Sequence, residues 1–376
     1  MIIGIDGNEA NKKNRVGVNQ YAFEILWGLA RAYNSWSKKH RVIVYLKNPP
    51  IKELPPTKKN LIYKVLPGGG AWIILKLVPH LLFCSKKPDV FFSPHHYAPP
   101  ISPVPVVTTI HDLGYLKYSG QFKKYDFWQL KYWSAWSINI SKHIISISNS
   151  TKKDIVRHYP NAANKISVIH HGYDKQLFND RVSADDVRRI KDKYTIVNEY
   201  LLFLGTLKPS KNIEGILSAF RQIKPNYPKL DLVIAGKKGW LYETIFNKAK
   251  SLGLDDIIFT DFIPEYDKPG LIKGARAFLM PSFWEGFGMD AISAMAVGTP
   301  VIASNEGGLA EACGKAAISV NANEIDSVAS GMEKVLSMGK KQYNSLINKG
   351  YRQANEFSWD KTTKMTLNVL EKAGQS

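Results

Sequence analysis

Residues 275–312 read ARAFLMPSFWEGFGMDAISAMAVGTPVIASNEGGLAEA. Ala277–Met280 has the composition of a short buried strand, and Pro281 ends it. Glu285 follows almost at once, enclosed by Gly286 and Gly288. The next segment is small and apolar at Ala291, Ile292, Ala294, Met295 and Ala296, which suits a helix laid on a sheet. Thr299-Pro300 starts a second strand and Gly307-Gly308 a second helix. Strand, helix, strand, helix in this order is βα repetition, which builds a parallel sheet with helices on both faces. An acid at a strand end with glycines one and three residues on is not placed like a solvated surface carboxylate.

The alternation extends in both directions. Tyr200–Gly205, Leu230–Ala235 and Ile257–Thr260 read as strands upstream in the same half; Ile2–Ile5, Val42–Leu46, Val90–Phe92, Val106–Ile110, His143–Ile147 and Ile166–Ile169 do so nearer the start. Helical periodicity lies between them at Val18–Ala32, Asp126–Ile140 and Ser150–His158. The pattern pauses at HHGYDKQLFNDRVSADD, residues 170–186, so a linker is expected near 172–184. The expected organisation is an α/β chain of two Rossmann-like, doubly wound domains, 1–178 and 179–357, with a cleft between them. The helical spacing of Trp359, Met365, Leu367, Val369 and Leu370 predicts a last helix over 358–376 that needs an apolar surface, expected on the first domain.

A length of 376 residues with 44% hydrophobic and 22% charged side chains fits two globular domains and excludes a disordered or fibrous chain. The net charge of +19 is unevenly spread: residues 1–178 hold 25 Lys+Arg against 9 Asp+Glu, and residues 179–376 hold 26 against 23. The first half therefore attracts phosphate-bearing partners. Two cysteines, Cys84 and Cys313, are too few for a disulfide framework and favour a reducing compartment, so a cytoplasmic location is expected. The start lacks a secretory profile, and no run reaches the roughly 18 apolar residues of a spanning helix. The nearest, Ala71–Cys84, is broken by Lys76, Pro79 and His80 and reads as a buried amphipathic helix ahead of a membrane contact.

Several positions carry chemistry. Gly17 precedes a helix, where it either completes a turn or lets backbone N–H groups approach a phosphate or sugar. In LLFLGTLKPSKN, residues 201–212, Gly205 ends a strand, and Lys208 and Lys211 precede a helix. Two ammonium groups at the carboxyl edge of a parallel sheet suit a diphosphate; the alternative is a pair of solvated lysines. His111, in a His-Asp-Leu turn after a strand, is either a satisfied hydrogen bonder or a ligand contact. QFKKYDFWQLKYWSAW, residues 121–136, interleaves Lys123, Lys124 and Lys131 with seven aromatic residues, as at a lipid headgroup zone or in a helix with aromatics half in the core. Signatures of nucleic-acid binding are missing, and so are an Asp-x-Asp pair or a Cys/His cluster at metal-ligand spacing.

From GIDGNEANKKNRVGVNQYAFEIL through HDLGYL, ISISNSTKKDI, VIHHGYD and LLFLGTLKPSKN to residues 275–311, the chain resembles the retaining GT-B glycosyltransferases of family 4 over nearly its whole length. The LLFLGTLKP wording is most similar to bacterial mannosyltransferases of cell-surface polysaccharide assembly. The resemblance implies a metal-independent hexosyltransferase without a cofactor, taking a nucleotide-diphosphate sugar, GDP-mannose ahead of a UDP sugar, and acting on a glycan or lipid-linked acceptor. It implies that Lys211 holds the donor diphosphate with Lys208 beside it, and that Glu285 and His111 approach the transferred sugar. Gly286, Phe287, Gly288 and Met289 would turn backbone N–H groups toward the donor.

The chain departs from the family pattern where a second glutamate, separated from the first by seven residues, grips the ribose: Ser293 stands there, able to make a hydrogen bond but not to hold both hydroxyls as an anion does. Asp290 replaces the usual proline and reads either as a displaced carboxylate or, more plainly, as a helix cap. The alternative function is a catalytically weak sugar-nucleotide or glycan-binding partner of other assembly enzymes. With the basic first half, an anionic membrane surface is a further expected partner, with the protein peripheral at its inner face.

Overall fold

The computed structural model describes residues 1–375 apart from 16, 119, 121–123, 255 and 256. Lys123, named above, and Val16 and Phe122, within the stretches quoted above, lie outside the described residues. The chain divides into two compact units, Met1–Gly172 with Trp359–Ser376, and Tyr173–Ser358.

The first unit is built on β1 (Ile2–Asp6), β2 (Arg41–Leu46), β3 (Leu61–Val65), β4 (Val90–Ser93), β5 (Val106–Ile110), β6 (His143–Ser146) and β7 (Ile166–Val168). They form one sheet in the order β3-β2-β1-β4-β5-β6-β7. The second unit holds β8 (Glu199–Leu204), β9 (Leu230–Ala235), β10 (Ile257–Phe259), β11 (Ala277–Met280), β12 (Val301–Ser304) and β13 (Ile318–Val320), ordered β10-β9-β8-β11-β12-β13. Every neighbouring pair is parallel. Both sheets run outward from their first strand in one direction, then reverse, between β1 and β4 and between β8 and β11. Those reversals are the switch points at which doubly wound sheets open a crevice at the carboxyl ends of their strands.

Central strands are buried on both faces, as β5 and β9 are along their whole length, which explains their unbroken apolar runs. The sequence reading missed two strands for the converse reason. β3 is an edge strand with an exposed Lys64, and β13 is a three-residue edge strand whose central Ser319 is exposed. In the second unit Ile213, Ile216, Leu217 and Phe220 form one face of the helix Ile213–Ile223 and bury it against the sheet. The segment expected as one buried helix over 71–84 is instead a π turn, Ile73–Leu77, running into a short α-helix, Val78–Phe83. Trp72, Leu77 and Leu81 enter the core, while Ile74, Leu75 and Phe83 face outward.

The last helix, Trp359–Gln375, belongs to the first unit. It lies beside the helix Val18–Arg31, where a Cβ on Gly28 would sit 2.0 Å from Thr363 Oγ1 and 2.9 Å from Thr363 Cβ. Thr362 donates to His170 O at 2.7 Å, and His40 Nε2 meets Glu371 Oε1 at 2.6 Å. Gly28→Ala should therefore destabilise the first unit. Overpacking costs about 1–3 kcal/mol and the contact includes a Cβ that cannot rotate away, against roughly 1 kcal/mol gained in helix propensity. Thermal unfolding should show a lowered melting temperature, partly restored by adding Thr363→Ala. An unchanged melting temperature would mean that the two helices separate without cost.

Candidate active site

In the second unit the loops after β8 and β11 flank the switch point and are tied together at three places. Phe283 N donates to Ser210 O at 2.9 Å. Asn212, held at φ +55°, donates through Nδ2 to Pro281 O at 3.1 Å and to Ala322 O at 2.7 Å, which also anchors the end of β13. The third tie is the ion pair of Lys211 Nζ with Glu285 Oε1; that oxygen also accepts from Ser282 Oγ at 2.9 Å. The lysine and glutamate side chains are only 13% and 15% exposed, so water screens this pair less than a surface one. Lys211 reaches the glutamate by crossing Gly205, whose added Cβ would meet Lys211 Cε at 3.9 Å and Phe203 at 3.4 Å, both ordinary contacts. The fold itself does not require a glycine at 205. Lys208 is exposed and lies outside the pair.

The Glu285 loop rests on the start of the helix Gly307–Cys313. Gly308 N donates to Glu285 O at 3.1 Å, and a Cβ on Gly308 would fall 1.9 Å from Gly286 O. Glycine is obligatory there because backbone lies on backbone. Gly288, at φ +109°, ends the loop and opens the helix Met289–Ala296, whose first N–H groups have no partner inside the helix. The Phe287 side chain is buried against Phe357, with ring centroids 5.3 Å apart, so only its backbone is available to a ligand. Asp290 is not the cap expected of it. Gly288 occupies the cap position without a side-chain hydrogen bond, and Asp290 sits in the first turn within the field of Lys211, Lys268, Glu285 and Glu265. Burial pushes its carboxyl above the ordinary range, opposed by the two lysines. Ser293, three residues on, shares that helix face and is 7% exposed.

In the first unit the carboxyl edge carries a histidine cluster of which the sequence reading had singled out only His111. Asp6, at the end of β1, accepts from Asn8 N at 3.0 Å and Asn8 Nδ2 at 2.7 Å with one oxygen, and its other oxygen meets His95 Nε2 at 3.2 Å. His95 Nδ1 accepts from Tyr97 N at 3.1 Å, so Nε2 carries the proton toward Asp6. The signal was present as His95-His96 directly after β4, one strand from Asp6 across the switch point. His111 is buried, and its Nε2 donates to Pro94 O at 3.0 Å, which leaves Nδ1 as the ring's acceptor. Gly17, at φ +48° with no atom within 4 Å of an added Cβ, opens the helix Val18–Arg31. Through Tyr21 that helix meets His111 edge to face, at 5.0 Å between centroids. The structure thus brings Gly17 and His111 to one edge of the first unit, and Gly205, Lys211 and Glu285 to one edge of the second.

Among the described residues no group of three or more His, Cys, Asp or Glu is placed to hold a metal ion. Burial lowers the imidazole of His111 to about 4 and that of His96 to about 3, from 6.5, and holds His171 well below its ordinary value. These rings stay neutral in the folded chain while the unfolded chain protonates, so the stability they confer is complete above about pH 6.5 and is lost as pH falls toward 4. The melting temperature should fall over that window. The fall should be shallower in His111→Asn, whose amide can still donate to Pro94 O without titrating. An identical pH profile in the variant would show that His111 already titrates normally.

Residues 16–177 match the family described as Glycosyltransferase Family 4, and residues 186–353 match Glycosyl transferases group 1. O-antigen chain mannosyltransferase B of Escherichia coli is 27% identical over 242 residues, 62% of this chain and 62% of that protein. The serotype-specific mannosyltransferase WbdA of Escherichia coli is 28% identical over 240 residues, 62% of this chain but 29% of the relative. The matched part therefore spans less than two thirds of either relative. Sucrose-phosphate synthase from Thermosynechococcus elongatus superposes with a TM-score of 0.78 at 17% identity, covering 99% of this chain and 98% of that one. HepE from Anabaena, in complex with UDP and glucose, gives 0.75 at 17% identity, covering 98% and 99%. With its two parallel-sheet units in the GT-B fold and the two family matches in sequence, the chain belongs to the group 1 glycosyltransferases, with a family 4 domain preceding the group 1 domain.

Proposed function

We propose that this chain is a retaining hexosyltransferase that moves a mannosyl group from GDP-mannose to a glycan or lipid-linked acceptor. The donor diphosphate binds in residues 179–357 and the acceptor in residues 1–178. The observation that carries this reading is the Lys211–Glu285 pair, fixed at the switch point by Ser282 and Asn212. The names of the O-antigen relatives support the mannosyl donor, and the UDP and glucose bound by HepE make a UDP sugar the runner-up.

The chemistry follows from where charge develops. As the bond from the anomeric carbon to phosphate lengthens, negative charge gathers on the leaving diphosphate and positive charge on the sugar ring. The Lys211 ammonium, together with the N–H groups after Gly288, meets the first. The Glu285 carboxylate accepts from sugar hydroxyls and faces the second. In a same-face transfer the acceptor hydroxyl attacks as the phosphate leaves and passes its proton to the departing phosphate oxygen, so no protein nucleophile is used. The helix face of Asp290 and Ser293 takes the ribose. In the first unit, the His111 Nδ1 acceptor and the open space beside Gly17 are offered to the acceptor.

Lys211→Ala should weaken GDP or GDP-mannose binding by about 1.5–3 kcal/mol, the loss of a hydrogen bond to a charged group, as read by calorimetry. Glu285→Gln keeps the size and the Ser282 contact, so it should leave binding nearly intact while turnover falls by roughly 10²-fold or more. Gly205→Ala should spare the melting temperature yet reduce donor affinity, because the added methyl fills space that the empty site leaves open. Wild-type affinity in Lys211→Ala, or wild-type turnover in Glu285→Gln, would remove that residue from the site.

A further inference from the structure

The helix Lys124–Ile140 is apolar on two opposite faces. Phe127, Leu130 and Ile138 point one way, into the core around Tyr115 and Ile144. On the other side Tyr125, Trp128, Tyr132 and Trp136, spaced three, four and four residues apart, form a stripe that is 77%, 46%, 66% and 52% exposed. One exposed aromatic needs no explanation, but a continuous stripe does. Its rings are held in place: Trp128 and Tyr132 stack with centroids 5.4 Å apart, and Trp136 Nε1 donates to Pro100 O at 3.1 Å. Ile74, turned outward by the π turn, and Pro100 close the stripe into a groove of about 410 Å³. Leu75 and Phe83, on the same helical run as Ile74, are exposed as well.

Charge borders this surface with one sign. Residues 73–87 and 124–136 together carry Lys76, Lys86, Lys87, Lys124 and Lys131 against Asp126 alone. On the helix, Lys124 and Lys131 lie on one flank of the stripe and Asp126 on the other, and Lys131 Nζ sits 4.9 Å above the Trp128 ring. The whole first unit, residues 1–172 with 359–376, holds 27 Lys+Arg against 10 Asp+Glu. A second copy would bring like charge against like. A glycan would need many hydrogen-bonding groups, and the groove offers one amide, Gln129, two phenols and the Trp128 indole N–H, with no carboxylate among its lining residues. An anionic bilayer answers both features, since Trp and Tyr settle at the headgroup level and lysines beside them meet lipid phosphates.

We propose that this face of the first unit docks on an anionic membrane surface, with the helix Lys124–Ile140 lying in the headgroup plane and its Tyr125–Trp136 stripe turned into the lipid. The docking is peripheral: among the described residues no helix is long and apolar enough to cross a membrane. The inference does not rest on the donor-site reading.

The test is co-sedimentation of the full chain with vesicles of phosphatidylcholine alone or mixed with phosphatidylglycerol. Binding should appear with the mixed vesicles at low salt and decline as salt screens the surface. Lys124→Glu with Lys131→Glu should lower partitioning about tenfold or more. Trp128→Ser with Tyr132→Ser should abolish it without moving the melting temperature, since both side chains are exposed, and nucleotide affinity by calorimetry should be unchanged in both variants. A protein that stays in the supernatant overturns the proposal, as does equal binding to phosphatidylcholine alone. So does a dimer in sedimentation velocity that the Trp128→Ser, Tyr132→Ser variant dissociates while vesicles capture nothing. Loss of nucleotide binding in the unaltered chain would count against the donor site only.

Discussion

A parallel pair of strands cannot be joined by a tight turn, so each strand in both sheets hands the chain to a crossover that returns along a face of the sheet. That constraint determines where chemistry can sit. The crossovers cover both faces and bury them, leaving the carboxyl edge as the place where loops are free to carry polar side chains, and the reversal of strand order parts those loops at one point in each sheet. Lys211 and Glu285 come from the two loops at the second reversal, and Asp6 and His95 from the two at the first. Neither pair is formed by local sequence. Each exists because two strands distant in the chain lie side by side.

What holds the second edge together is close approach of backbone rather than side-chain packing. A Cβ on Gly236 would fall 1.8 Å from Gly205 O, as one on Gly308 would fall 1.9 Å from Gly286 O. With glycine at these points, the loops after β8 and β11 rest directly on neighbouring chain, and Asn212 ties both to the end of β13. The Lys211 and Glu285 side chains are therefore held in place by the fold itself, as the proposed role in organising charge requires. The glycines divide by role. Gly236 and Gly308 are required by the fold, Gly17 and Gly288 by positive φ, and Gly205 by neither.

The strands were legible wherever both faces are buried, because β-branched runs bounded by turn residues admit few other readings; β3 and β13 failed that criterion through edge exposure and shortness. Glu285, Lys211 and His111 were legible as types at strand ends, and resemblance lent them roles. Their partners were not. Lys211 and Glu285 are 74 residues apart and Asp6 and His95 are 89 apart, distances that only strand order converts into contact. Asp290 was misread as a cap because an acid near a helix start is ordinarily one, whereas here the positive φ of Gly288 makes the turn unaided. On the helix Lys124–Ile140 two apolar stripes of the same period lie opposite each other, so periodicity alone gave no sign of which faces outward.

The charge distribution makes a further distinction. If the excess of lysine served a donor bound as proposed, it would lie in the second unit, yet that unit is close to neutral, 24 Lys+Arg against 22 Asp+Glu over residues 173–358. The Lys211–Glu285 pair shows why little is needed there. One ammonium already aimed at the site, supported by helix N–H groups, supplies local charge at short range, where screening is weak. Charge spread over an exposed surface acts differently. It is screened within about 8 Å at physiological ionic strength, so it matters only to something that approaches closely over a wide area. Only a broad anionic partner would sense such charge, and the lysines of the first unit lie in the same unit as its exposed aromatic rings.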